Sequence, residues 1–236
     1  MIAARHVLLA ILGCALACTS SKASTGAGSS TQKVAPRAAP TGPSFRYLAI
    51  GDSFTIGTGS GEDHSFPSVF ATTSACRVDY RNVAKNGFTT LDVIERELPV
   101  LATFHPDFVT LAIGANDLVR GRSIDEYRAA VKDILAAILK SGVKPERIVL
   151  LPQPRWDRSP AGKEFGSPDE LRANIDKMNG VLHEEGDRVG ARWLGIEPLL
   201  DTQAAAQAFA SDGLHPSAEA HAAWAKALDE LVCPAG

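Results

Sequence analysis

Four short stretches of this chain hold residue types suited to nucleophilic chemistry, and they lie far apart in sequence. Gly51-Asp52-Ser53-Phe54 offers a hydroxyl, and Asn86-Gly87 a flexible backbone amide. Gly114-Ala115-Asn116-Asp117 offers a carboxamide. Asp212-Gly213-Leu214-His215-Pro216 offers a carboxylate and an imidazole close enough for one loop to place both. A serine hydroxyl is too weak an acid to attack a carbonyl unaided. It needs a base, here His215, whose second ring nitrogen is best held by a carboxylate such as Asp212. The oxygen that becomes negative on attack needs donors preset where the charge develops. Each stretch alone has an ordinary reading as a cap or turn. Asp201 is an alternative acid, further from His215 in sequence.

The elements that must position these residues follow from the apolar pattern. Short apolar runs at 45–50, 78–83, 107–113, 147–151 and 191–194 read as strands. Between and after them, 65–75, 90–103, 123–140, 168–189 and 216–232 read as helices. Ser123 and Glu126 form a capping-box pattern, and Pro216 reads as the first residue of the last helix. Repeated strand–helix alternation predicts an α/β fold, a three-layer α/β/α sandwich around a parallel five-stranded sheet. The flavodoxin-like order 2-1-3-4-5 is the simplest with right-handed crossovers. In such a sheet ligands bind beyond the carboxyl ends of the strands, and the four stretches follow the first, second, third and fifth strands. The same order sets the first and last helices side by side, ending at one pole. Cys76 and Cys233, at those ends, are therefore expected to form a disulfide, with two unpaired thiols as the alternative.

The four stretches together resemble the SGNH, or GDSL, hydrolases. Gly51-Asp52-Ser53, Gly87, Asn116 and Asp212-x-x-His215 match that family's four blocks in order, across nearly the whole folded part. The resemblance implies a serine esterase with Ser53 as nucleophile and Asp212 and His215 completing the triad. It assigns the oxyanion donors to the Ser53 N–H, the Gly87 N–H and the Asn116 side chain. It implies neither cofactor nor metal. The expected substrates are short acyl or acetyl esters, including those on carbohydrate. A lysophospholipase or thioesterase of the same fold is the enzymatic alternative. A non-catalytic envelope binding module is the other, although such a module has no reason to keep all four residues.

The remaining features set the context. The chain has 236 residues, 45% of them hydrophobic, and a net charge of -3, which gives no reason to expect nucleic acid as a partner. Arg5 and His6 precede a short apolar run ending in Ala15-Leu16-Ala17, which reads as a signal peptide over 1–17. Cys18 then resembles the lipidated cysteine of bacterial lipoproteins, so attachment to a membrane and release as a free exported protein are both open. Residues 18–43 read as a flexible tether, and 44–236 as one hydrolase domain, monomeric by default. The glycines of Gly57-Thr58-Gly59-Ser60-Gly61 lack phosphate-loop spacing and read as an edge of the site's mouth. His64 and His221 have no cluster of further ligands and read as surface residues. Trp156, in Trp156-Asp157-Arg158, lies on a long loop and is expected to line or cover the pocket.

Overall fold

The computed structural model describes residues 42–233. The expected signal peptide, Cys18 and all but the last two tether residues lie outside the described residues. Those two run beside the start of the second strand. The Gly42 N–H donates to the Ala75 carbonyl (3.1 Å), and the Arg77 N–H to the Pro43 carbonyl (3.0 Å).

Five strands, β1 (Ser44–Gly51), β2 (Arg77–Asn82), β3 (Phe108–Ala112), β4 (Ile148–Leu150) and β5 (Arg192–Trp193), form one parallel sheet. Their order is the expected β2-β1-β3-β4-β5. Strand β1 is apolar nearly throughout because both faces of the sheet are covered. Its Phe45, Tyr47 and Ala49 enter one core with Phe66, Phe70 and Trp224. Leu48 and Ile50 enter the other with Val131, Ile134 and Leu182. Helices α2 (Phe66–Thr73) and α9 (Ala218–Val232) supply the first core, and α6 (Ile124–Lys140) and α7 (Pro168–Val189) the second. Truncating a ring such as Phe70 to Ala would cost about 3–5 kcal/mol. Helix α6 opens on the expected box: Ser123 Oγ accepts from the Glu126 N–H, and the Glu126 carboxylate accepts from the Ser123 N–H.

Cys76 and Cys233 are bonded, with Cα atoms 6.1 Å apart. Cys233 caps α9, but Cys76 does not end the first helix. Helix α2 stops at Thr73, and Cys76 lies just ahead of β2, its N–H donating to Ser74 Oγ (3.0 Å). By loop entropy, linking residues 157 apart contributes about 5 kcal/mol.

Three further expectations need correction. The segment 90–103 is not one regular helix. It runs through α3 (Thr90–Asp92), a π turn at Val93–Glu97, a 3-10 turn at Leu98–Val100 and α4 (Leu101–Phe104). Pro99 has no N–H to continue an α ladder, and the π turn absorbs an extra residue. Helix α9 begins after Ser217, whose hydroxyl accepts from the Ala220 N–H, so Pro216 precedes the cap. Pro216 instead bridges Phe209. His221 is not at the surface. It is fully buried, because it shares the inward stripe of α9 with Trp224, Ala225 and Leu228. Three further helices among the described residues were not expected from the apolar pattern: the single turns α1 (Ser53–Ile56) and α5 (Ala115–Val119), and α8 (Glu197–Ala205).

Candidate active site

Ser53 stands where β1 ends and α1 begins. Asp52 caps α1, its Oδ1 accepting the Phe54 N–H at 3.0 Å. The Ser53 N–H belongs to the first turn of a helix, where amides have no intrahelical acceptor.

Asn116 lies on α5, just after β3. Its side-chain amide donates to the Phe88 carbonyl (3.0 Å), and Arg120, at the end of α5, donates to the Gly87 carbonyl (2.8 Å). The loop after β2 and helix α5 therefore hold each other. Gly87 has φ 79°, a left-handed backbone that suits glycine.

Asp212 and His215 share the loop before α9. Asp212 Oδ2 lies 2.7 Å from His215 Nδ1, while Oδ1 accepts the N–H groups of Leu214 (2.9 Å) and His215 (3.0 Å). Partial burial works against ionisation of Asp212, but these two amides and the His215 ring hold its carboxyl below the usual range. The structure thus pairs His215 with Asp212 and not with Asp201, which bonds Arg155 at 2.8 Å. The glycine-rich stretch backs this acid. A Cβ on Gly59 would sit 2.7 Å from Asp212 Oδ2, so the close approach needs glycine. Ser60 Oγ also donates to the Pro216 carbonyl (2.6 Å).

Ser53, Asn116 and His215 line one cavity of about 210 Å³, with Asn86 beside them. Gly87 is next in the chain to Asn86. The other walls are apolar: Phe54, Ala115, Val119, Trp156, Phe165 and Leu214. Trp156 stands in this wall, held by Nε1 donating to Gln153 Oε1 (3.2 Å) and meeting Phe165 edge-on at 5.9 Å. Its neighbour Asp157 is buried in an ion pair with Arg155 (2.8 Å). His64 is exposed.

Two acids beneath the cavity escaped the sequence reading. Asp117 is fully buried, accepting from the Thr90 N–H (2.9 Å) and Thr90 Oγ1 (2.6 Å), with Arg122 Nε at 2.9 Å. Burial raises its pKa despite these partners. Glu97 is also buried, and its Oε2 accepts the Gly51 N–H at 2.9 Å. In the sequence Glu97 stands at helical spacing from Ile94 and Leu101, on the apolar side of a segment whose other charges, Asp92, Glu95 and Arg96, fall elsewhere. Burial likewise pushes Asp52 up to about 7.

The arrangement can move a proton and hold a developing charge. An imidazole tethered through Nδ1 has Nε2 available to take a proton from a hydroxyl in the same cavity. An oriented carboxamide and a first-turn amide supply donors.

No curated protein matches the chain by sequence. In fold it is similar to the acetylxylan esterase Axe2 from Geobacillus stearothermophilus, at 20% identity and TM-score 0.64, covering 83% of this chain and 97% of that one. It is similar also to the lipase/acylhydrolase from Enterococcus faecalis, at 19% identity and TM-score 0.62, covering 78% and 93%. The psychrotrophic esterase EstA from Pseudoalteromonas sp. matches at 14% identity and TM-score 0.60, covering 79% and 96%. At these identities the likeness is one of fold. The sequence pattern of the GDSL-like lipase/acylhydrolase family matches residues 49–223, blocks and intervening elements together, and the chain belongs to that family.

Proposed function

We propose that this protein hydrolyses carboxylic esters through an acyl-enzyme on Ser53. The observation that carries the reading is the Asp212–His215 pair, 2.7 Å apart, with its ring in the same cavity as Ser53 and Asn116. His215 takes the Ser53 proton as the hydroxyl attacks the carbonyl, and returns it to the leaving alcohol. Asp212 holds the ring and stabilises the imidazolium. The oxyanion is received by the Ser53 N–H, the Gly87 N–H and the Asn116 amide. Loss of one such donor would lower turnover about 10²–10³-fold.

The substrate is a short acyl ester. A cavity of about 210 Å³ with mostly apolar walls suits an acetyl or similarly small acyl group better than a long chain. One fold neighbour is an acetylxylan esterase, which supports acetylated carbohydrate as the class to test first. The reading extends to an exported protein, free or anchored at Cys18. The Cys76–Cys233 disulfide supports it, since such bonds persist in oxidising compartments.

The test uses p-nitrophenyl esters of increasing chain length alongside acetylated oligosaccharides, with an organophosphonate probe. Wild type should label at Ser53 and favour the shortest acyl groups, and Ser53→Ala should neither label nor turn over. Full activity in purified Ser53→Ala would overturn the assignment. A preference for long acyl chains would favour the lysophospholipase or thioesterase reading.

A further inference from the structure

The turn that presents Ser53 rests on a carboxyl that the triad does not use. Glu97 comes from the π turn, 46 residues further along the chain than Gly51, yet its Oε2 receives the Gly51 N–H at 2.9 Å. Its neighbours Glu95 and Arg96 are exposed, so the π turn selectively directs this one acid inward. Such turns insert a residue into a helix and often occur at functional sites. Among the described residues, Glu97 Oε1 and Asp52 Oδ2, two buried carboxyl oxygens at the same turn, have no hydrogen-bond partner within 3.5 Å, although the Asn116 side chain still favours ionisation of Asp52. Thr55 Oγ1, on α1, is buried there and likewise has no partner among the described residues. Two ionised carboxylates buried at this turn would repel each other. A protonated Glu97 removes the repulsion and supplies a donor, Oε1–H, where acceptors stand unmet.

We propose that Glu97 is a positioning residue for Ser53, its carboxyl kept protonated beneath the turn so that Gly51 and Asp52 hold the serine hydroxyl in line with His215. The proposal rests on the reading of Ser53 as nucleophile. The charged and titratable groups around Glu97 come from every side. Asp52 lies on the serine turn, Asp92 on α3 and Lys85 on the loop after β2. Asp117 on α5 faces Asp52. From α6, Tyr127 donates its hydroxyl to the Ile113 carbonyl (2.9 Å). Burial first, then Asp52 and Asp92, push the Glu97 pKa up to about 9, against the Gly51 N–H and Lys85, which favour ionisation. The folded protein therefore keeps a proton that the unfolded chain releases above about 4.5, and stability from this group declines as pH rises from there to about 9. Above that, ionised Glu97 pushes against Asp52 and the serine turn loosens.

The experiment compares wild type, Glu97→Gln and Glu97→Ala on p-nitrophenyl acetate from neutral to strongly alkaline pH. Circular dichroism checks folding, and infrared spectra at neutral pH report the carbonyl band of protonated carboxyls. Wild-type kcat should fall above about pH 9. Glu97→Ala should lose about 10–10²-fold in kcat with KM little changed, as expected for a misplaced reacting group. Glu97→Gln, which keeps an acceptor for Gly51 and a donor for Asp52, should recover most of that loss and lack the alkaline decline. The wild-type minus Glu97→Gln infrared difference should contain a protonated-carboxyl band. Absence of that band overturns the proposal whether or not Ser53 is the nucleophile. An unchanged alkaline decline in Glu97→Gln overturns it as well. Full activity in Ser53→Ala, with the band present, would instead remove the nucleophile reading and leave the buried proton standing.

Discussion

His215 and His221 stand six residues apart, and the fold gives them opposite chemistry. His215 sits before α9 at the cavity, with a carboxylate on Nδ1 at 2.7 Å. His221 sits one turn inside α9, its Nδ1 accepting the Phe66 N–H at 3.3 Å and its Nε2 without a partner among the described residues. Its ring stacks with Phe66 at 6.4 Å and meets Trp224 edge-on at 5.2 Å. Burial first, then the charge of His215, press the His221 pKa down to about 4. A histidine facing a carboxylate at a cavity is equipped to carry a proton. One that accepts a backbone N–H among aromatic rings stays neutral and packs. Its neutrality also spares His215 a like charge nearby.

Four measurements would break or sharpen this contrast. The largest effect belongs to His215→Ala, which should lower kcat about 10⁴-fold or more while leaving the urea midpoint nearly unchanged. Asp212→Asn comes next, at about 10²–10⁴-fold in kcat, because the ring loses the partner that sets its tautomer. His221→Leu should show the reverse pattern. Leaving the buried Phe66 N–H without its acceptor costs about 1–3 kcal/mol in urea unfolding, while kcat at neutral pH stays near wild type. A collapse of kcat in a well-folded His221→Leu would end the contrast. The smallest effect is a pH slope. The unfolded chain protonates His221 near 6.5 and the folded protein only near 4, so this group's stability is full above 6.5 and lost as pH falls toward 4. Wild type should lose stability over that interval more steeply than His221→Leu, as read from urea midpoints.

The two histidines also mark how much was legible in advance. His215 was readable because Asp212 lies three residues away in the same loop and no distant partner is needed to see the pair. His221 looked like a surface residue because its partners, Phe66 and the aromatic face of α2, are some 155 positions away. The capping box at Ser123 and Glu126 was readable for the same local reason. The start of α9 lies two residues beyond the expected Pro216 because Pro216 and Ser217 are both good helix openers, and the bridge from Pro216 to Phe209 keeps the proline outside the helix.

By itself the sequence determined the strand–helix alternation, the order of the sheet and the four chemical stretches at its carboxyl ends. Apolar period, turn residues and short-range caps are local, and right-handed crossovers leave few ways to join them. The tertiary structure alone decided that Glu97 bonds Gly51, that His221 is buried, and that Val119 and Phe165 line the cavity with Trp156. Each of these joins residues from separate elements. Their contact depends on how helices seat on the sheet, which side-chain volume and burial settle only once the chain has packed.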